Sequence, residues 1–259
     1  MAWKNRYIKK DRATKRIETA IKSQRVYILY KTKKMRKSTY INEKESHIDP
    51  TFYKHVKRTA RHAEIEIEAG LKLINKIDNK VVSIFGSHLI KKNNKYYIEC
   101  EKTAYELGKR GYAIITGGGP GIMEAANMGA KRAHTVSVGI REKLLSKEQN
   151  VDAEIYTYKA AFNFLFVRRF LLAVKSDALI FYPGGYGTLN EFFEYITLVV
   201  TGINSKIPII FVDKKYWSGL YDWLKNSALK EGTISKVDLD LISFANDTKD
   251  ILKIISQYK

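Results

Sequence analysis

Residues 183–191 read PGGYGTLNE and lie between two apolar runs, SDALIFY (176–182) and FFEYITLVV (192–200). A strand that feeds a glycine-rich turn into a helix N-terminus makes an anion site. The glycines let backbone N–H groups approach a phosphate, and the helix dipole adds favourable potential. Gly184, Gly185 and Gly187 supply close backbone, Tyr186 lies among them, and Thr188 adds a hydroxyl. A second stretch, TGGGPG (116–121), carries Gly117, Gly118 and Gly119, and a third, FGSH (85–88), carries Gly86 and Ser87. One such loop is also what a tight strand-to-helix turn with no ligand looks like. Three of them after apolar strands favour a nucleotide.

The charged residues beside these loops have two readings each. Thr188-Leu-Asn-Glu191 matches a T-x-x-E capping box, in which the glutamate closes back on the Thr188 N–H. Alternatively, Glu191 faces the ligand held by the loop. Arg168 and Arg169 sit inside FLFVRRFLLAV, where unpaired charge is costly. Surface acids or an anionic ligand near the strand ends would resolve that cost. A dinucleotide fingerprint is incomplete: Gly117 and Gly119 begin a G-x-G-x-x-G, but position 122 is Ile, and Glu142 only roughly occupies the place of a ribose-binding acid. No G-x-x-x-x-G-K-[ST] for a triphosphate is present. A nucleotide with a single phosphate fits best, with Met123 and the 85–88 loop lining the base pocket.

The elements needed to position these residues follow from apolar periodicity. Strands are predicted over 80–88, 112–119, 135–140, 177–182 and 208–213. Helices are predicted over 96–111, 120–134 (Pro120 in the first turn), 162–176, from the glycine loop to about 201, 216–232 and 247–259. Alternating strands and helices mean an α/β fold, a doubly wound parallel sheet with helices on both faces, whose ligands bind outside the carboxyl ends of the strands. Residues 51–77 read as a helical lead-in.

Composition bounds the rest. The chain has 259 residues and a net charge of +19, and fourteen Lys/Arg against Asp11 and Glu18 fall within residues 1–40. That segment is either a nucleic-acid or anionic-surface tail or, with no recognised binding module in it, a solvated extension. We therefore divide the chain into a basic N-terminal extension, partly disordered or helical, over 1–48 and a nucleotide-binding catalytic domain over 49–259. No run of about 18 apolar residues predicts a membrane span, and the N-terminus lacks the apolar segment of a secretory signal. Cys100 is the one cysteine. It reads as a small core hydrophobe, and its solitude favours a reducing cytoplasm. The five histidines (47, 55, 62, 88 and 134) complete no metal set.

GGGPGIMEAANMGA, the Arg168–Arg169 helix, PGGYGTLNE and YWSGLYDWLK…EGTIS together resemble the LONELY GUY (LOG) family, over about residues 78–259. The longer, type II branch is the most similar, with LSKEQN-like sequence after the third strand and a helical N-terminal extension. The family has often been labelled lysine decarboxylase, which its motifs do not support. The resemblance implies a Rossmann-like phosphoribohydrolase, hydrolysing the N-glycosidic bond of a purine nucleoside 5′-monophosphate (AMP or a cytokinin riboside monophosphate) to free base and ribose 5-phosphate. It implies no metal or redox cofactor and a homo-oligomer, a dimer or an assembly of dimers. Arg168 and Glu191 match the catalytic pair. Residues 184–188 match the phosphate cradle, and Thr197 matches a further ligand-contacting position. Arg169 stands where many members have lysine, and Asn190 where many have an acid. The runner-up is a non-catalytic nucleotide-binding or carrier module of the same fold. The preferred base is not legible.

Overall fold

The computed structural model describes residues 28–30, 54–143 and 151–258. The basic extension, apart from a short strand β1 (Ile28–Tyr30), and the LSKEQN segment lie outside the described residues. The chain continues through α1 (Val56–Ile74), β2 (Val81–Phe85), α2 (Lys95–Lys109), β3 (Ala113–Thr116), α3 (Ile122–Arg132) and β4 (Ser137–Glu142). It then forms a 3₁₀ turn (Ala153–Ile155), β5 (Tyr158–Phe162), α4 (Leu165–Ala173), β6 (Ala178–Phe181), α5 (Tyr186–Val200) and β7 (Ile209–Val212). It closes with α6 (Lys214–Trp223), a π-helical turn (Leu224–Ala228), α7 (Lys236–Leu239), β8 (Ile242–Ala245) and α8 (Thr248–Gln257).

The strands form one sheet in the order β1-β5-β4-β3-β2-β6-β7-β8. Every pair is parallel except β1 with β5. A Rossmann-like doubly wound sheet is therefore present as expected. Runs such as VVSIF and IIFV are buried at every position because helices cover both faces. Leu73 of α1, Leu171 of α4, Phe192 and Tyr195 of α5 and Trp217 of α6 pack on one face. Cys100 and Leu107 of α2, Ala125 and Ala130 of α3 and Ile251 of α8 pack on the other. The chain winds outward from β2 to β5, then returns to lay β6 on the other side of β2. The strand order reverses between β2 and β6, the kind of switch point at whose carboxyl ends doubly wound sheets bind ligands.

Three predicted helices differ in their bounds. The helix expected over 162–176 starts at Leu165, because YKAAF forms β5. In that strand Ala160 and Phe162 face the core, and the apolar run passes into α4 without a break in pattern. The helix expected to begin at Pro120 starts at Ile122, after Gly121, which at φ +70° ends the preceding turn in the left-handed region. The helix predicted over 216–232 begins at Lys214 and passes into the π turn. The short strand β8 and helix α7 are additional.

Small residues let α2 and α3 approach closely. A Cβ on Gly129 would stand 2.2 Å from the Glu101 carbonyl oxygen, which belongs to the rigid backbone of α2. Gly129→Val is expected to destabilise the protein by about 2–3 kcal/mol through overpacking. Urea unfolding checks this, with a lower midpoint at an unchanged slope. Among the described residues no helix is long and apolar enough to cross a membrane.

Candidate active site

The three glycine-rich loops converge on Ser87. Its N–H donates to the Pro183 carbonyl at 3.0 Å, and its own carbonyl accepts from the Ile122 N–H at 3.1 Å. Its hydroxyl accepts from the Leu89 N–H at 3.1 Å. The approach leaves no room for larger residues: a Cβ on Gly86 would meet Ile122 Cγ2 at 2.7 Å, and one on Gly121 would meet the Ser87 oxygen at 2.4 Å. Ser87 thus locks the turns after β2, β3 and β6 into one rim.

Behind that rim stand Arg168 and Glu191. Arg168 projects from α4 and donates through Nε to the Ile140 carbonyl of β4 at 3.0 Å, and through Nη1 to Glu191 Oε1 at 3.1 Å. Its Nη2 packs on Gly117, where an added Cβ would lie 2.2 Å from it; Met123 Sδ sits 2.8 Å from the same point. The side chains of Arg168 and Glu191 are 13% and 12% exposed, so this is an internal pair and not one between surface charges. Burial raises the Glu191 carboxyl above its ordinary pKa, although Arg168 pulls the other way.

Glu191 is not a capping residue. The helix begins at Tyr186 with Gly185 as N-cap and no side-chain cap bond. Thr188 is therefore already the third helical residue, and Glu191 is the sixth, in the second turn. Neither can close the predicted box. Thr188 is buried instead, with its hydroxyl over Gly184, where a Cβ would come within 2.2 Å of Oγ1. Gly185, Tyr186 and Gly187 are exposed, and nothing lies within 4 Å of a Cβ built on Gly185 or Gly187. Among the described residues no hydrogen bond engages the N–H groups of Gly185, Tyr186 or Gly187. The loop therefore offers open backbone donors at the N-terminus of a 15-residue helix.

Arg169 pairs through its Nε with Glu194 on α5. Carboxylates on α5 thus neutralise both arginines, without the anionic ligand that the sequence invited. Thr197 is not brought into the crevice: it lies on the exposed face of α5, and its hydroxyl donates to the Phe193 carbonyl at 2.6 Å. Gly118, at φ +66°, donates its N–H to Thr116 Oγ1 at 2.9 Å, and its carbonyl accepts from the Tyr156 hydroxyl at 3.0 Å.

Sequence reasoning missed several residues that shape the site. Tyr156 and Tyr216 each bond a glycine carbonyl, and Tyr216 reaches Gly184 at 2.8 Å. Glu66 of α1 is buried and accepts from the Asn163 N–H, Asn163 Nδ2 and the Phe164 N–H at 2.9, 2.6 and 3.1 Å, which fixes the turn that launches α4. A buried acid within AEIEIEAG was the only signal for it. Arg141 and Lys159 lie on the face of β4 and β5 that carries Gly118 and Tyr156; burial and the neighbouring Arg141 push the Lys159 amine down to about 8. Among the described residues no group of three or more His, Cys, Asp or Glu is placed to hold a metal ion.

The profile of a family described as "Possible lysine decarboxylase" matches residues 123–255, just over half of the chain. A cytokinin riboside 5′-monophosphate phosphoribohydrolase of Mycobacterium tuberculosis is 30% identical over 163 residues, covering 61% of this chain and 86% of the relative. The chain belongs to the LOG family. A LOG-family phosphoribohydrolase of the same name from Arabidopsis thaliana is 29% identical over 169 residues, covering 64% of this chain and 77% of its own length. Among solved structures, the molybdenum cofactor binding protein of Rippkaea orientalis superposes with a TM-score of 0.51 at 17% identity, covering 70% of this chain and 98% of that one. That likeness concerns the fold alone. The LOG profile spans Met123, Arg168, Arg169, the 183–188 turn and Glu191, but it begins after Gly86, Ser87 and the 117–119 loop.

Proposed function

We propose that the protein is a nucleotide phosphoribohydrolase that cleaves the N-glycosidic bond of a purine nucleoside 5′-monophosphate, AMP or a cytokinin riboside monophosphate, to free base and ribose 5-phosphate. Membership of the LOG family supports the reaction class. The observation that carries the reading is the buried Arg168–Glu191 pair directly behind a loop of open backbone donors.

In this reading the N–H groups of Gly185, Tyr186 and Gly187, together with the dipole of α5, hold the 5′-phosphate. Breaking the C1′–N bond builds positive charge on the ribose ring. The Glu191 carboxylate stabilises that charge and orients the attacking water, whose oxygen joins C1′. The electron pair of the broken bond leaves with the base, which takes up a proton. Arg168 fixes Glu191 by occupying Oε1, and it contacts sugar or phosphate oxygens through its remaining donors.

The test is a panel of nucleoside monophosphates assayed by chromatography. Equal amounts of base and ribose 5-phosphate are expected from at least one purine monophosphate, with far slower release from the corresponding nucleoside. Tight nucleotide binding with no base released from any member would favour the carrier module instead. Oligonucleotide binding by residues 1–40 is a separate matter, read by its loss at high salt and on their deletion.

A further inference from the structure

The N-terminal loop of α5 has a glycine on each side of the Gly184–Gly185 peptide, so its own chemistry does little to decide which way that peptide faces. In a trans peptide the C=O and the following N–H point in opposite directions. A peptide turned one way presents a donor to an anion; turned the other way, it presents an oxygen that repels it. The choice is made from outside the loop. Tyr216, on α6, donates its hydroxyl to the Gly184 carbonyl at 2.8 Å.

Tyr216 is itself held in place. Asp213 ends β7 in the left-handed region at φ +71°, a strained conformation for a residue with a side chain. Its carboxylate accepts from the N–H groups of Lys215 and Tyr216 at 3.0 and 3.4 Å and from the Tyr96 hydroxyl at 2.5 Å, so α2 and the first turn of α6 are fixed together. The second glycine loop repeats the arrangement: Tyr156 holds the Gly118 carbonyl at 3.0 Å, between two further glycines.

We infer that Tyr216 is a positioning residue for the phosphate of the substrate: its bond to Gly184 holds the loop peptide so that the Gly185 N–H, and not the Gly184 oxygen, faces the crevice. This rests on the proposed reading of the loop as a phosphate cradle. In this role the tyrosine acts through Gly184 and not on the reacting atoms. Losing its hydroxyl therefore weakens the hold on the phosphate and leaves the chemical step as it was.

The experiment is Tyr216→Phe. The expected result is a rise of about tenfold in KM for the nucleotide substrate, the size of one lost charge-assisted hydrogen bond, with kcat within about twofold of wild type. Affinity for AMP, measured by calorimetry with both proteins carrying the slow Glu191→Gln substitution, falls by the same factor, whereas affinity for adenosine and the melting temperature stay unchanged. A purely structural tyrosine would lower the melting temperature or weaken AMP and adenosine alike, and either result overturns the inference, as does an unchanged AMP affinity. Calorimetry needs no turnover. If the wild type binds AMP but releases no base, the hydrolase reading fails while the positioning role is still decided.

Discussion

Glu191→Gln is expected to release base from AMP about a hundredfold more slowly than wild type, or worse, and still to melt within a few degrees of it. The amide can keep the bond from Arg168 Nη1 through its oxygen, so the geometry behind the rim is retained. What disappears is the charge that offsets the developing cation, and a pre-aimed group of that kind is commonly worth about 3–4 kcal/mol at the transition state. Stability changes little because two effects oppose: Arg168 loses its counter-charge, but a carboxylate that burial already disfavours is removed. The same burial should set the acid limb of kcat/KM: in the proposed mechanism Glu191 acts as a carboxylate, and with its pKa raised, activity is expected to fall as pH drops through a value above the ordinary glutamate range. Wild-type turnover in the Gln variant would show that Glu191 has no part in the chemistry.

Arg168→Met is expected to damage activity and stability together. Base release should fall by at least about two orders of magnitude, because in the proposed mechanism Glu191 is no longer aimed and an electrostatic contact is lost. Removing one partner of a buried pair leaves the other uncompensated, at about 3–5 kcal/mol. The pH dependence of that loss has a definite sign. Without Arg168, which lowers the Glu191 pKa, burial acts unopposed and raises it further. A folded-state pKa above the unfolded one means that the native protein binds more protons between the two values, so the stability deficit shrinks as pH falls through that window. Urea unfolding at pH 7.5 and 5.5 should show the gap to wild type narrowing at the lower pH. Adding Glu191→Gln to Arg168→Met should recover part of the stability at pH 7.5 and none of the activity. Equal stability of Arg168→Met and wild type at both pH values would mean that the pair is not electrostatically coupled.

Long regular elements and glycine loops were legible because local chemistry dictates them. VVSIF, AIIT and IIFV are apolar at every position, as a strand covered on both faces must be, and alternating helices leave a parallel sheet as the economical arrangement. Loops rich in glycine after such strands mark the ligand edge. Strand β5 was missed because YKAAF places a lysine in a strand and runs straight into an apolar helix, so no turn signal separates the two. Strand β8 was missed because ISFA carries a serine and is only partly buried at its two middle positions, so it lacks the unbroken apolar run of the other strands.

The sequence by itself determined the fold class, the sheet edge at which ligands of such folds bind, and candidate residues for chemistry there. It did not decide what Glu191 does, since a capping box and a buried ion pair read identically along the chain. That was decided by where α5 begins: starting at Tyr186 puts Thr188 inside the helix and turns Glu191 toward Arg168, which β4 and α4 deliver from elsewhere in the chain. Likewise Tyr156, Tyr216 and Glu66 look ordinary in their own segments. They act on glycine and turn residues 38, 32 and 97 or 98 positions away, and only the packed sheet brings those groups within hydrogen-bonding distance.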